Sequence, residues 1–287
     1  MARVAYANGI YGPVSAPLIP VEDRGYQFSD GVYEVCLAID GALWDAAGHF
    51  ARWRRSLSEL SITPPMSEPA MRAVIREVLR RNRLKSALVY MQATRGVASR
   101  EHVFPAFASP SFVVTVKPFD LKAADKKAAA GIALRSTPDL RWARVDIKSI
   151  GLLPNVLAKD AARDAGAGEA VLHDDGLVSE GGSTNIWMLD AGGVLSTPPT
   201  DGRILSGITR RTVMDCATEL DIKVAERSFT LDEAKAAKEM FVTSATSQVT
   251  PAVQLDETVI ADGVPGPIAL GLRRAYIDRC RREAVAP

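Results

Sequence analysis

Cysteine is scarce in this chain: Cys36, Cys216 and Cys280 are the three present, and they lie far apart. An odd, scattered set offers no disulfide framework and fits free thiols in a reducing, cytoplasmic setting. Histidine is equally rare, with His49, His102 and His173. No His/Cys cluster has the spacing of a zinc site, so no metal is expected. An excess of either charge is missing too. The 35 Lys and Arg against 34 Asp and Glu leave a net charge of +1, which argues against a nucleic-acid or membrane-surface role. No run of about 18 apolar residues occurs, so no membrane span is indicated. The N-terminus has no basic start leading into a continuous apolar stretch and does not read as a signal peptide. No G-x-G-x-x-G follows a strand, which leaves a dinucleotide fold little support.

What is present suffices for a substantial core. The 287 residues, 47% of them apolar, can build two medium domains or one large one. The pattern predicts a strand over 31–39, a two-residue hairpin turn at Asp40-Gly41 and a return at 42–44. A helix is expected over 46–60, with Phe50, Trp53, Leu57 and Leu60 on one stripe. Another runs over 69–82, opening on Pro69 and carrying Met71, Val74, Ile75, Val78 and Leu79 at helical spacing. Strands follow near 87–94 and 111–117. The small, charged stretch "KAADKKAAA" reads as a linker, with a short surface helix as the alternative. Beyond it, strands near 131–136, 170–173, 185–189 and 194–196 are interspersed with helices near 154–165, 209–220 and 267–283. The order lacks a regular βαβ beat, so the fold expected is α+β in two mixed domains: residues 1–120, a linker at 121–131, and 132–287.

Several segments could carry chemistry. Alternation in "RVDIKSI" puts Val145, Ile147 and Ser149 on one face and Asp146, Lys148 and Ile150 on the other. A desolvated Lys148 would have a lowered pKa and an amine free for Schiff-base chemistry, although spacing alone favours a surface lysine. In "SEGGSTN", Glu180 precedes glycines that allow close backbone approach and hydroxyls that donate; a solvated hairpin loop fits the composition better. "SGITRRTV" starts a helix whose first N–H groups at Ile208 and Thr209 could bind a phosphate, or Thr209 could be an ordinary cap. The hydroxyl-rich turn "TSATSQVTP" could add donors or be a plain loop. Arg100 and His102, one residue apart, share a side in extended chain and could clamp a carboxylate, with Arg95 a nearby competitor and an exposed basic loop the alternative. In "HFARWRRS", Arg52 lies at the edge of the apolar stripe and could turn inward to a phosphate, whereas His49 suits packing or capping.

In order along the chain, "HFARWRRS", "DIKSIGLLPNVLAK", "SEGGSTNIW", "SGITRR" and "VTSATSQVTP", together with "NGIYGPVSAPLIPVEDRGYQFSDGVYEV", resemble the fold-type IV pyridoxal-phosphate enzymes. That group includes D-amino-acid aminotransferases, branched-chain aminotransferases and aminodeoxychorismate lyases. The resemblance covers nearly the whole chain and implies two α+β domains with pyridoxal 5'-phosphate between them. It implies Lys148 as the lysine that forms the Schiff base with the cofactor and Glu180 as the partner of the pyridine nitrogen. It implies a phosphate site of Arg52, the backbone at Ile208 and Thr209, and the turn of Ser244 and Thr246. Ala245 stands where relatives often have threonine, which leaves open whether Thr246 supplies that bond. Within the group the D-amino-acid aminotransferases look most similar, because Tyr33, Arg100 and His102 match their substrate-carboxylate set. In the family the Arg-x-His loop reaches in from a partner subunit, implying a homodimer. The implied reaction is transamination of D-amino acids such as D-alanine with 2-oxo acids such as 2-oxoglutarate. The alternatives on the same fold are a branched-chain L-amino-acid or (R)-amine transaminase, or an aminodeoxychorismate-type lyase. An alternative of another class is a non-catalytic binding protein of this shape.

Overall fold

The structure, a computed structural model, describes residues 3–16 and 19–287. Met1, Ala2, Pro17 and Leu18, all in the N-terminal stretch, lie outside the described residues. The chain divides into two compact units, the first of residues 1–120, 147–151 and 283–287, the second of residues 121–146 and 152–282.

The first unit contains β1 (Val4–Ala7), β2 (Ile10–Pro13), α1 (Arg24–Phe28), β3 (Gly31–Ile39), β4 (Ala42–Leu43), α2 (Ala46–Glu59), α3 (Glu68–Asn82), β5 (Ala87–Thr94) and β6 (Ser111–Pro118). Its strands form one sheet in the order β2-β1-β6-β5-β3-β4, antiparallel throughout. Asp40 and Gly41 have φ of 51° and 82°, the doubly positive backbone that the expected tight hairpin needs to match strand twist. Phe50, Trp53 and Leu57 of α2 and Met71, Ile75 and Val78 of α3 join Val32, Cys36, Val89, Met91 and Val114 of the sheet in one buried cluster. Burying each large side chain stabilises by about 1.5–3 kcal/mol, so packing of the predicted stripes, more than propensity, holds these helices.

Ile147 belongs to the same cluster, which ties the segment 147–151 into this unit. Ser149 bridges to Val32. The Tyr33 N–H donates to the Lys148 carbonyl at 3.0 Å, and the Lys148 N–H donates to Ser56 Oγ at 3.3 Å. The expected alternation holds, with Ile147 and Ser149 buried on either side of Lys148. The segment is not a ladder strand, however; it is an extended stretch pinned at these few points.

The second unit opens with α4 (Leu121–Ala130), the short surface helix that stood as the alternative to a linker. Its Ala and Lys residues are good helix formers, and only Ala128 is buried. The polarity of this stretch therefore reflects a solvated face and not irregular chain. Then follow β7 (Ile132–Pro138), α5 (Leu153–Asp164), β8 (Glu169–Asp174), β9 (Leu177–Gly181), β10 (Asn185–Leu189), β11 (Leu195–Thr197), α6 (Ile208–Glu219), β12 (Val224–Glu226), α7 (Leu231–Lys235), β13 (Glu239–Ser244), β14 (Gln248–Leu255), β15 (Thr258–Val259) and α8 (Pro267–Glu283). The sheet runs β12-β11-β10-β13-β14-β7-β8-β9, with β15 on β14. The pairs β11–β12, β14–β7 and β7–β8 are parallel, so the sheet is mixed. Leu134, Val171, Ile186, Met188, Phe229 and Val242 centre its core. Among the described residues, no helix is long and apolar enough to cross a membrane.

Candidate active site

In the first unit the Lys148 Nζ lies 3.2 Å from the Tyr33 hydroxyl and 4.2 Å from the centre of its ring. Tyr33 stacks on Tyr90, with ring centres 5.7 Å apart. Burial, then proximity to Tyr33, pushes the Tyr90 phenol up to about 12. It stays neutral at ordinary pH and donates to Gln92 Oε1 at 2.7 Å.

Arg52, expected at a phosphate, engages a carboxylate of its own unit. Its Nε and Nη2 lie 2.6 and 2.9 Å from the two oxygens of Glu34. His49 Nδ1 lies 2.9 Å from the same carboxylate, so His49, expected to pack or cap, is a buried polar partner of Glu34. Burial alone would raise the Glu34 carboxyl, but the Arg52 charge and the bonds from Arg52 and His49 outweigh it and hold the group well below the usual carboxylate range. Glu34 went unnoticed in the sequence although the signal was there. Val32, Glu34 and Cys36 alternate onto the core face of β3, where a carboxylate requires a cation.

Arg100 and His102 lie exposed on the loop between β5 and β6. The Arg100 guanidinium stands 5.1 Å and the His102 ring 5.4 Å from the ring centre of Phe28. Neither makes a hydrogen bond or ion pair among the described residues. Arg95, the competitor, is buried and committed to Asp30.

In the second unit Glu180, on β9, is buried. It accepts from Arg141 Nη1, from Asn185 Nδ2 at 3.2 Å and from the Leu205 N–H at 3.2 Å. Arg141 also forks Asp139 through Nε and Nη2 at 2.8 and 2.6 Å, and Ser179 donates to Asp139 at 2.7 Å. Burial would lower the Arg141 pKa, but the Asp139 bonds and the Glu180 charge more than reverse that and raise it. Asp139 mirrors this: burial would raise its carboxyl, and the bonds from Arg141 and Ser179 leave it lowered. Neither residue was singled out in the sequence, because they sit in irregular chain after β7 with no pattern linking them to "SEGGSTN". Lys159 sets its ammonium 3.0 Å from both Glu169 and Ser183.

The start of α6 carries no side-chain cap, so its first N–H groups suit an anion. Thr209 is buried and its hydroxyl has no partner among the described residues. A Cβ on Gly207 would overlap Asn185 Oδ1, and Asn185 is itself held by the Leu205 carbonyl at 3.0 Å. Ser244 and Thr246 sit at the β13–β14 turn with hydroxyls 3.1 Å apart. Asn185 pairs with Thr243 across β10 and β13, so this turn, the start of α6 and Glu180 share one end of the sheet. An orphaned hydroxyl, open N–H groups and a buried carboxylate together fit a group that carries a phosphate and a protonated ring nitrogen.

The comparisons with known proteins agree with that fit. The family model described as amino-transferase class IV matches residues 31–255. A D-alanine aminotransferase of Staphylococcus haemolyticus is 37% identical over 272 residues, covering 94% of this chain and 95% of that protein. One of Bacillus licheniformis is 38% identical over 268 residues, with coverages of 93% and 94%. The branched-chain amino acid aminotransferase of Escherichia coli superposes with a TM-score of 0.90 at 24% identity over 98% of this chain and 95% of that one, a likeness of fold. A second branched-chain amino acid aminotransferase, the T.th. enzyme with pyridoxamine 5'-phosphate, gives 0.87 at 27% identity over 97% and 94%. With a family match running through Tyr33, Lys148, Glu180 and Thr246, the chain belongs to the class IV aminotransferases, enzymes of fold type IV that work with pyridoxal phosphate.

Proposed function

We propose that this aminotransferase acts on D-amino acids, D-alanine and similar substrates, with a 2-oxo acid such as 2-oxoglutarate as acceptor. The observation that carries the reading is the Arg100 and His102 pair, exposed and without a polar partner among the described residues, in the same unit as Tyr33 and Lys148. A guanidinium and an imidazole one residue apart suit an α-carboxylate held at two points. The names of the curated relatives support the same substrate class. The likeness to the T.th. branched-chain amino acid aminotransferase, at 27% identity, supports the second reading, an L-branched-chain transaminase on this fold. An (R)-amine transaminase or an aminodeoxychorismate-type lyase has no comparable observation behind it.

In this reading Lys148 is the catalytic amine and also the cofactor's anchor. Glu180 would face the pyridine nitrogen and hold its proton. The Ile208 and Thr209 backbone, the Thr209 hydroxyl, Ser244 and Thr246 would hold the phosphate. Arg52, whose Nε and Nη2 engage Glu34, would add its positive charge to them. When bound, the cofactor supplies an electron sink for the substrate Cα. The chain does the rest. Tyr33, Arg100 and His102 fix the carboxylate, and thereby which Cα hydrogen meets Lys148. The Lys148 amine takes that proton and later returns one, as general base and acid. The Tyr33 hydroxyl, 3.2 Å from Nζ, orients the amine.

The reading also takes the active unit to be a homodimer with the Arg100 loop serving a partner's site. Leu153, Val156 and Leu157 on one face of α5, and Val103, Phe104 and Phe107 on the Arg100 loop, are exposed apolar residues of the kind such contacts cover. Three buried free cysteines suit a cytoplasmic protein. The test is the visible spectrum of the purified holoenzyme with each alanine enantiomer. D-Alanine should bleach the band and L-alanine should not; bleaching by L-leucine but not D-alanine would defeat the proposal. Mixing Lys148→Ala with Arg100→Ala protein should restore activity if the loop serves a partner, and should restore none if each chain is self-sufficient.

A further inference from the structure

The loop that carries Arg100 and His102 is exposed, yet a clamp must be held in place to discriminate. What holds it is a buried ionic cluster beneath. Gly96 opens the loop with φ of 100°, and a Cβ there would overlap the Ser109 carbonyl oxygen. The two ends of the loop are therefore drawn together at a residue that only glycine suits. Arg95, next to it, forks Asp30 at 2.7 and 3.0 Å and donates to the Leu60 and Ser61 carbonyls. The ring centre of Phe104, further along the loop, sits 3.6 Å from its guanidinium. Arg24, from α1, shares Asp30 through Nε at 2.8 Å. Its Nη1 donates at 2.5 Å to the carbonyl of Glu101, the residue between Arg100 and His102. Arg24 also stands 4.7 Å from the ring centre of Phe28, the ring that Arg100 and His102 approach.

We infer that Arg24, oriented by Asp30, is a positioning residue for the substrate-carboxylate clamp, acting through the Glu101 carbonyl and the Phe28 ring. The inference rests on the reading of Arg100 and His102 given above. The chemistry is specific. Arg24 and Arg95 bring two guanidiniums to one carboxylate, all three nearly buried. The second guanidinium is held there by spreading its donors over Asp30 and a loop carbonyl, with an aromatic face against it. The carbonyl it fixes belongs to the peptide that sets which way the flanking side chains point. Neither Arg24 nor Asp30 needs to touch substrate for this.

The experiment compares kcat and KM for D-alanine in Arg24→Met, Arg24→Lys, Asp30→Asn, Arg100→Ala and the Arg24→Met/Arg100→Ala pair, with the visible band of each holoenzyme as a second readout. Arg24→Met should raise KM roughly tenfold, the scale of one lost charge-assisted bond, with kcat and the visible band little changed. Arg24→Lys, which keeps the charge but cannot reach Asp30 and Glu101 together, should recover part of the loss. In the Arg100→Ala background, Arg24→Met should add nothing, because the clamp it serves is gone. A KM for Arg24→Met equal to wild type while Arg100→Ala raises it would overturn the inference. So would fully additive effects in the double variant, which would make Arg24 merely structural. If Arg100→Ala leaves KM unchanged, the clamp reading itself has failed and the inference falls with it. Should Arg24→Met not fold, Arg24→Lys and Asp30→Asn carry the same comparison and the same outcomes.

Discussion

Glu34→Gln tests the physics of the first unit most directly. The Glu34 side chain is fully buried, and it is bound by an Arg52 side chain only 9% exposed and by His49. Gln keeps the shape but removes the carboxylate charge that faces the buried Arg52 guanidinium. Breaking a buried pair on one side costs about 3–5 kcal/mol, and at roughly 2–4 °C per kcal/mol for a chain of this size the Tm should fall on the order of 10 °C. The pH dependence follows from the sign of the shift. The Glu34 pKa is lowered on folding, so its stabilisation is complete above the usual carboxylate range and is lost as pH falls through the folded value. The stability gap between wild type and Glu34→Gln should therefore be widest near about pH 7 and narrow steadily below about pH 4.5. Urea unfolding of the apoprotein across that range, followed by circular dichroism, measures it. A gap under about 1 kcal/mol at neutral pH, the scale of a surface ion pair, would refute the reasoning, as would a gap that does not change with acid.

Thr209→Val removes an orphaned buried hydroxyl, so the apoprotein should be as stable as wild type or more so, by up to about 1–3 kcal/mol. Affinity for pyridoxal phosphate should fall nonetheless; unfolding curves and cofactor titration separate the two effects. Gly207→Ala drives a methyl into Asn185 Oδ1, and since Asn185 is pinned on both sides the clash should cost about 1–3 kcal/mol. A thermal scan showing no loss would mean that corner is looser than its packing indicates. Arg141→Met removes the guanidinium that the Asp139 and Glu180 carboxylates share, so the apoprotein should be destabilised at neutral pH. The deficit should shrink in acid, because Asp139, held below its usual range by Arg141, can then take a proton. A deficit that grows in acid would contradict that assignment.

Much of the fold was legible because it rests on local rules. The stripes of α2 and α3, the Asp40-Gly41 turn and the long antiparallel strands are written as periodicity and turn chemistry. The stretch 122–130 was not, since a polar helix with a single buried alanine carries no period that separates it from a linker. The short elements β12, β15 and α7 fell below the length at which any pattern accumulates.

For the site the division is of another kind. The sequence by itself determined the identities and order of Lys148, Glu180, Arg100, His102 and the start of α6, and their order was enough to suggest the chemistry. It did not determine the company they keep. That Lys148 meets Tyr33 depends on Ile147 being drawn into the core beside β3. That Glu180 is braced by Arg141 depends on the parallel β7–β8 pairing next to β9. That Arg52 is locked to Glu34 depends on α2 packing over the sheet. Charges are placed in sequence one residue at a time, but their energies depend on distance and burial, which only the tertiary structure sets.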